Sequence, residues 1–237
     1  MKVVANIFGS SLGRKYIMAV SGAVLFLFVV GHLVGNLQIF LGPEAINRYG
    51  HFLQSNLEII WPARIVLVAM LALHVWSAIK LSAENKAARP VAYAEYNPVG
   101  SSYASRTMLM SGLIIFCFVI YHLLHYTVMV QAVNLTGKNF AARPEFVDEL
   151  GRHDIFKMMV IGFSHPAVSG FYIVGIALLC LHLSHGVSSM FQSLGLKNKV
   201  YGPCLDKLAR FVAAAIFAGY ISIPVAILAG FGKEALK

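Results

Sequence analysis

The sequence predicts an all-α integral membrane protein with five transmembrane helices, and three observations carry that expectation. Of the 237 residues 58% are hydrophobic and only 12% charged, and mean hydropathy is +0.72; soluble domains are about one-quarter charged. Five apolar runs are each long enough to span a bilayer. The basic residues behind the formal charge of +9 gather at the ends of those runs. That is where membrane-flanking charges sit, whereas a nucleic-acid-binding protein would collect them on one surface.

The runs cover approximately Tyr16–Leu41, Trp61–Leu81, Thr107–Val130, Pro166–Phe191 and Leu208–Phe231. A hydrocarbon core of about 30 Å takes about 20 helical residues at about 1.5 Å each, so all five can cross with some tilt. Residues 1–237 read as a single membrane domain. The first run is too long for the apolar part of a cleaved signal, and no small-residue cleavage site follows it. Tyr16, Trp61, Trp76, Tyr103 and Tyr201 near the span ends fit an aromatic belt.

With a cytoplasmic N-terminus, the inner side holds Lys2, Arg14, Lys15, Lys80, Lys86, Arg89, Arg106, Lys197, Lys199, Lys207 and Arg210, which is most of the 19 Lys and Arg. The positive-inside rule therefore puts the N-terminus inside and the C-terminus outside. The outer side then carries the long connection from Gln131 to His165. Within it, residues 144–159 interleave Phe146, Val147, Leu150, Ile155 and Phe156 with charges, an amphipathic pattern that predicts an interfacial helix lying as a lid on the outer surface.

Nine histidines are present, and six fall within the runs: His32, His74, His122, His125, His182 and His185. Ionisable side chains at membrane depth are costly and mark functional sites. A single one is ordinarily a polar contact between helices; their concentration in the first four runs, with none in the fifth, needs another reason. Neutral imidazole is a common metal ligand, and haem iron takes one axial ligand on each side of its ring. Two facing helices can supply such a pair.

Spacing gives the pairing. Ser21-Gly22 precedes His32 and Ser111-Gly112 precedes His122 by the same interval. Both histidines come late in outward-running helices, about 15 Å beyond their glycines, and so share one depth in the outer half. His74 and His182 come late in inward-running helices and share the inner half. The sequence thus predicts a four-helix, haem-binding bundle, with His32 and His122 holding an outer haem and His74 and His182 an inner one. Gly22 and Gly112 would let the inner porphyrin approach the backbone. His125 and His185 lie three residues beyond His122 and His182, about 60° around the helix. Either is an alternative ligand, or else a partner for propionates, neighbouring helices or quinone. His51, His153 and His165 lie at or outside the span edges, where surface roles are expected. No CxxCH occurs, so the haems would be b-type. Cys117 and Cys180 fall inside runs and Cys204 in a short loop, so no disulfide framework is implied.

The stretch Ser11 to Asn36, with GRKYIMAVSG and VVGHLVGN, resembles the start of the dihaem cytochrome b (b558-type) subunits that anchor succinate dehydrogenases and fumarate reductases. So does FKMMVIGFSHPAVSGFYIVG followed by LHLSHG. The resemblance covers nearly the whole chain, including the five-helix count and one matching histidine in each of the first four helices. It implies an anchor in the bacterial cytoplasmic membrane, docking a flavoprotein subunit and an iron–sulfur subunit and passing electrons between them and quinone. By the resemblance, His74 and His182 bind the haem proximal to the iron–sulfur subunit, and His32 and His122 the distal one. Menaquinone is preferred over ubiquinone on the same ground, and a higher oligomer of the complex stays open. Where some members carry an acid two residues before the fourth ligand, this chain has Cys180, which puts transmembrane proton compensation at that position in doubt.

Three scattered cysteines cannot hold an iron–sulfur cluster, which needs four thiolates, so no succinate chemistry resides in this chain. Arg14, Lys15 and Arg106 either neutralise inner propionates or serve as positive-inside anchors. The outer segment from Asn47 to Glu58 offers Tyr49, His51, Gln54 and Glu58 as groups able to hydrogen-bond a quinone and exchange protons with solvent, the alternative being an ordinary polar loop. The five runs contain no Asp or Glu, so proton exchange is expected on the side where quinone binds. Two other functions stay open. A dihaem cytochrome b of a hydrogenase or formate dehydrogenase would use the same bundle with different soluble partners; a haem-free transporter would line a polar pathway with its histidines.

Overall fold

The computed structural model describes residues 7–89, 91 and 101–236; Lys2, counted above on the inner side, lies outside them. Among the described residues the secondary structure is helical, with no strand beyond a single bridge between Val147 and His153. Five helices are long and apolar enough to cross a membrane.

The first spanning helix, α1 (Ser11–Leu37), tightens into a 3-10 turn at Gln38–Leu41 and stops at Gly42, whose φ of 97° lies in the region that favours glycine. Pro43 then opens a second helix, α2 (Pro43–Ser55), with its fixed φ suited to the first turn and Glu44 beside the positive helix end. This helix carries no long apolar run that would announce it in the sequence. Three further elements follow, α3 (Leu57–Ala87), the short α4 (Tyr103–Arg106) and α5 (Met108–His122). The backbone widens into a π-turn at Leu123–Thr127, a feature that tends to mark functional sites. After the long connection come α6 (Ile155–Ser164), α7 (Pro166–Ser193) and α8 (Gly202–Leu228).

The helices run past the apolar runs, and so α3 includes Glu58 and Glu84 and α8 includes Asp206, all near helix ends. Hydropathy registers only the part that lipid must cover, whereas backbone hydrogen bonding continues into polar turns. The expected interfacial helix over 144–159 is also corrected. Asp148 Oδ1 accepts the N–H groups of Leu150 and Arg152, and Gly151 takes a φ of 77°, so the backbone there closes into a turn in competition with a helix. Helix begins only at Ile155, where Asp154 caps it by accepting from Lys157 N at 3.0 Å. Phe156, Met158, Met159, Val160 and Phe163 are all buried, so α6 is packed on several sides and does not lie on a surface by one face.

The chain divides into two compact units, each drawing a segment from every spanning helix. One comprises residues 1–29, 64–113 and 181–214. Within it Arg14 is buried, donating to the Phe8 carbonyl at 2.7 Å and pairing with Glu84 at 2.5 Å. Lys197 Nζ reaches Asp206 at 2.6 Å and the Ser188 hydroxyl at 2.9 Å, and Ser188 itself donates to Asp206.

The other unit comprises residues 30–63, 114–180 and 215–237. Here α2 docks on α6 so closely that a Cβ at Gly50 would overlap Ile155 Cδ1. Asn47, buried in that contact, donates to Asp154 Oδ1 at 3.0 Å and accepts from Phe156 N at 3.0 Å. Arg152 ties the two segments from outside, forking onto Glu44 at 2.6 Å and Asp148 at 2.8 Å. Burial alone would raise the Asp148 carboxyl, but the Arg152 N–H and guanidinium outweigh it and hold it below the ordinary value. Hydrogen bonds from Arg152 likewise hold Glu44 low. Carboxyls depressed in the folded state stabilise it above their unfolded values, and lose that contribution as pH falls through the folded ones. Arg152→Gln should therefore lower the thermal midpoint at pH 7, and the difference from wild type should shrink as pH falls below the usual carboxylate range; a gap that persists there would mean that packing rather than charge holds this clasp.

Candidate functional site

Four of the six intramembrane histidines form two facing pairs. The rings of His32 and His122 lie 5.8 Å apart between centroids and 79° between planes. Those of His74 and His182 lie 6.3 Å apart and at 66°. Two imidazoles binding one metal from opposite sides, each at about 2 Å, have ring centres about 6 Å apart. Both pairs have that spacing. Among the described residues no three His, Cys, Asp or Glu converge on one point, so each pair offers two donors and no more. Two protein donors are what haem iron takes when both its axial positions come from side chains.

The second nitrogen of three of these rings shows how they are held. His74 Nδ1 donates to the Met18 carbonyl at 3.2 Å and lies 3.3 Å from Ser21 Oγ. Ser21 spends its own proton on the Ile17 carbonyl at 2.6 Å and so presents a lone pair to the ring. His182 Nδ1 lies 3.5 Å from Ser111 Oγ, whose proton goes to the Met108 carbonyl. With Nδ1 protonated, Nε2 carries the lone pair a metal needs. Gly22 and Gly112 stand directly against these rings. A Cβ at Gly22 would come within 3.2 Å of His74 Cε1, and one at Gly112 within 3.4 Å of His182 Cε1. The repeated Ser-Gly thus serves the His74–His182 pair directly: the serine meets Nδ1, and the glycine lets the imidazole approach the helix.

His122 Nδ1 lies 3.3 Å from the Tyr172 hydroxyl, and His125 Nδ1 lies 3.2 Å from the same oxygen. His125 is fully buried and stacks on Phe140. His185 Nε2 meets Ser189 Oγ at 2.9 Å. Neither joins a facing pair.

The remaining candidates are dispersed. Tyr49 packs on α1, where a Cβ at Gly35 would meet its ring at 2.8 Å, and with Gln38, Ala45, Arg48 and Phe52 it lines an open cleft of about 320 Å³. His51, Gln54 and Glu58 are exposed and do not line that cleft. Arg106 is exposed and donates to the Ser101 carbonyl at 3.0 Å. Arg14 is committed to Glu84 and Phe8, and Lys15 is exposed. Cys180 is buried, while Cys117 and Cys204 are exposed, and none forms a disulfide.

This chain is similar to a succinate dehydrogenase cytochrome b558 subunit. That relative, from Bacillus subtilis (strain 168), is 25% identical over 197 residues, covering 81% of this chain and 82% of its own length. No family model matches the chain, and no solved structure matches it significantly. The cytochrome b558 relative supports the family to which the sequence motifs point. With the five apolar helices it supports an integral membrane protein.

Sequence reasoning passed over Tyr172, Met18 and the hydroxyls of Ser21 and Ser111. The repeated serine was the available signal, since a serine at matched positions in two apolar helices needs a partner. Tyr172 gave none, because a tyrosine in an apolar run reads as packing. At Gly22 the close approach is testable: Gly22→Val should displace the His74 imidazole and destabilise the protein by about 1–3 kcal/mol, the usual cost of overpacking, read as a lower thermal midpoint in detergent. An unchanged midpoint would show that the ring has room to move.

Proposed function

We propose that this chain is the dihaem cytochrome b anchor of a succinate:quinone oxidoreductase, either a succinate dehydrogenase or a fumarate reductase. The observation that carries the reading is the presence of two facing histidine pairs, each at bis-imidazole spacing, in a chain similar to a succinate dehydrogenase cytochrome b558 subunit. His32 and His122 would hold one haem b iron, and His74 and His182 the other. Bound there, the haems supply one-electron carriers. The chain's own part is to fix the His74, His182 and His122 imidazoles through Nδ1, to surround the pairs with apolar helices that exclude water, and to bind quinone.

The flavin and the iron–sulfur clusters belong to partner subunits in this reading. Those partners would dock on the cytoplasmic side, with the N-terminus inside and the C-terminus outside. Quinone, with menaquinone preferred, would sit toward α2, where Tyr49 and Arg48 line the cleft and His51, Gln54 and Glu58 exchange protons with solvent.

The test is haem content and the dithionite-reduced minus oxidised spectrum of the detergent-solubilised protein, with single alanine variants at His32, His74, His122 and His182. Two b-type haems per chain, each variant losing one, is the expected result. A well-folded preparation without haem would overturn the reading and favour a transporter. Co-purification with a nickel or molybdenum enzyme in place of a flavoprotein would keep the cytochrome and overturn the succinate assignment.

A further inference from the structure

We infer that the Tyr172 hydroxyl is a positioning group for the His122 imidazole, and that His125 serves by orienting that hydroxyl. The inference rests on the ligand reading just proposed and goes beyond it. Tyr172 in α7 is 6% exposed, and its ring is wedged edge-on against Phe163 at 5.1 Å and Phe118 at 5.3 Å, so it cannot swing away without repacking both. Its oxygen is held between His122 Nδ1 at 3.3 Å and His125 Nδ1 at 3.2 Å.

A phenol has one proton to give and lone pairs to accept with, and this fixes the order of the hydrogen bonds. If His122 binds iron through Nε2, its Nδ1 keeps a proton and donates it to the Tyr172 oxygen. The Tyr172 proton is then left for His125 Nδ1, which accepts. The chain runs from the ligand through tyrosine to His125, whose buried Nε2 then holds the proton with the Asn134 side chain as its neighbour. His125 is anchored by burial, by its stacking on Phe140 and by Tyr126, whose ring centre lies 4.1 Å away. That explains a second histidine beside a ligand without making it an alternative ligand.

Three of the ligand histidines thus share one device with different acceptors: the Met18 carbonyl and Ser21 for His74, Ser111 for His182, and Tyr172 for His122. An imidazole that donates through its outer nitrogen is a more basic ligand. A more basic ligand favours oxidised iron and lowers the potential.

The experiment is an optical redox titration of the haem-loaded protein and its Tyr172→Phe variant, with the component absent from His122→Ala identifying the haem concerned. Tyr172→Phe should keep both haems and raise that one midpoint. At fixed potential its reduced-to-oxidised ratio should rise about two- to tenfold, the range set by one neutral hydrogen bond, with about 59 mV as the upper limit for a one-electron couple. The other midpoint should stay in place. The low-spin ferric EPR signal of the affected haem should shift as the imidazole is freed to turn. Unchanged midpoints and EPR in a two-haem variant would overturn the inference while leaving the function intact. His125→Leu should retain both haems; loss of one would make His125 a ligand and overturn the inference independently. Wild-type protein without haem would count against the function itself.

Discussion

An imidazole between apolar helices has two nitrogens, and both must be provided for. Water is absent, so each N–H needs a protein acceptor and each lone pair a donor or a metal. Much of the site's construction follows from this one constraint. For His74, His182 and His122 the Nδ1 side is met by a carbonyl or hydroxyl on another helix. The rings then face partner histidines at 5.8 and 6.3 Å between centroids. A helix–helix hydrogen bond would use one nitrogen and bring the polar groups together directly. Facing rings held from behind are what the proposed pairs of haem ligands require.

The same constraint gives the Ser-Gly repeats their use. A serine inside an apolar helix normally returns its proton to its own backbone, as Ser21 does to Ile17 and Ser111 to Met108. This leaves an oxygen lone pair pointed outward, and an imidazole N–H takes it. The neighbouring glycine removes the side chain that would keep the imidazole away. Two adjacent small residues on α1 and again on α5 therefore locate a histidine ring from a different helix.

The clasp between α2 and α6 obeys a different balance. It lies outside the spans, so charges can be used where water screens part of their cost. Arg152 joins Glu44 to Asp148, while the buried Asn47 amide satisfies Asp154 and the Phe156 N–H. These bonds keep α2 seated on α6 and with it Tyr49 against α1. The quinone-facing reading of α2 depends on that seating.

Composition and hydropathy by themselves determined the all-helical class and the five spans, because lipid demands long apolar runs and such runs can satisfy their backbone only as helices. Histidine spacing determined which rings could meet, since residues at equal depth on neighbouring helices lie within reach. The tertiary structure alone decided what stands behind each ring. Tyr172 and Met18 are remote in sequence from the histidines they hold, and a tyrosine or a backbone carbonyl in an apolar run carries no signal of its partner. It also decided that α2 seats on α6, since the buried Asn47 finds Asp154 and the Phe156 N–H only when segments about a hundred residues apart come together, whereas the turn that Asp148 closes ahead of Ile155 is local. Local pattern sets what each helix can bury, while the partner of every buried polar atom is chosen by packing.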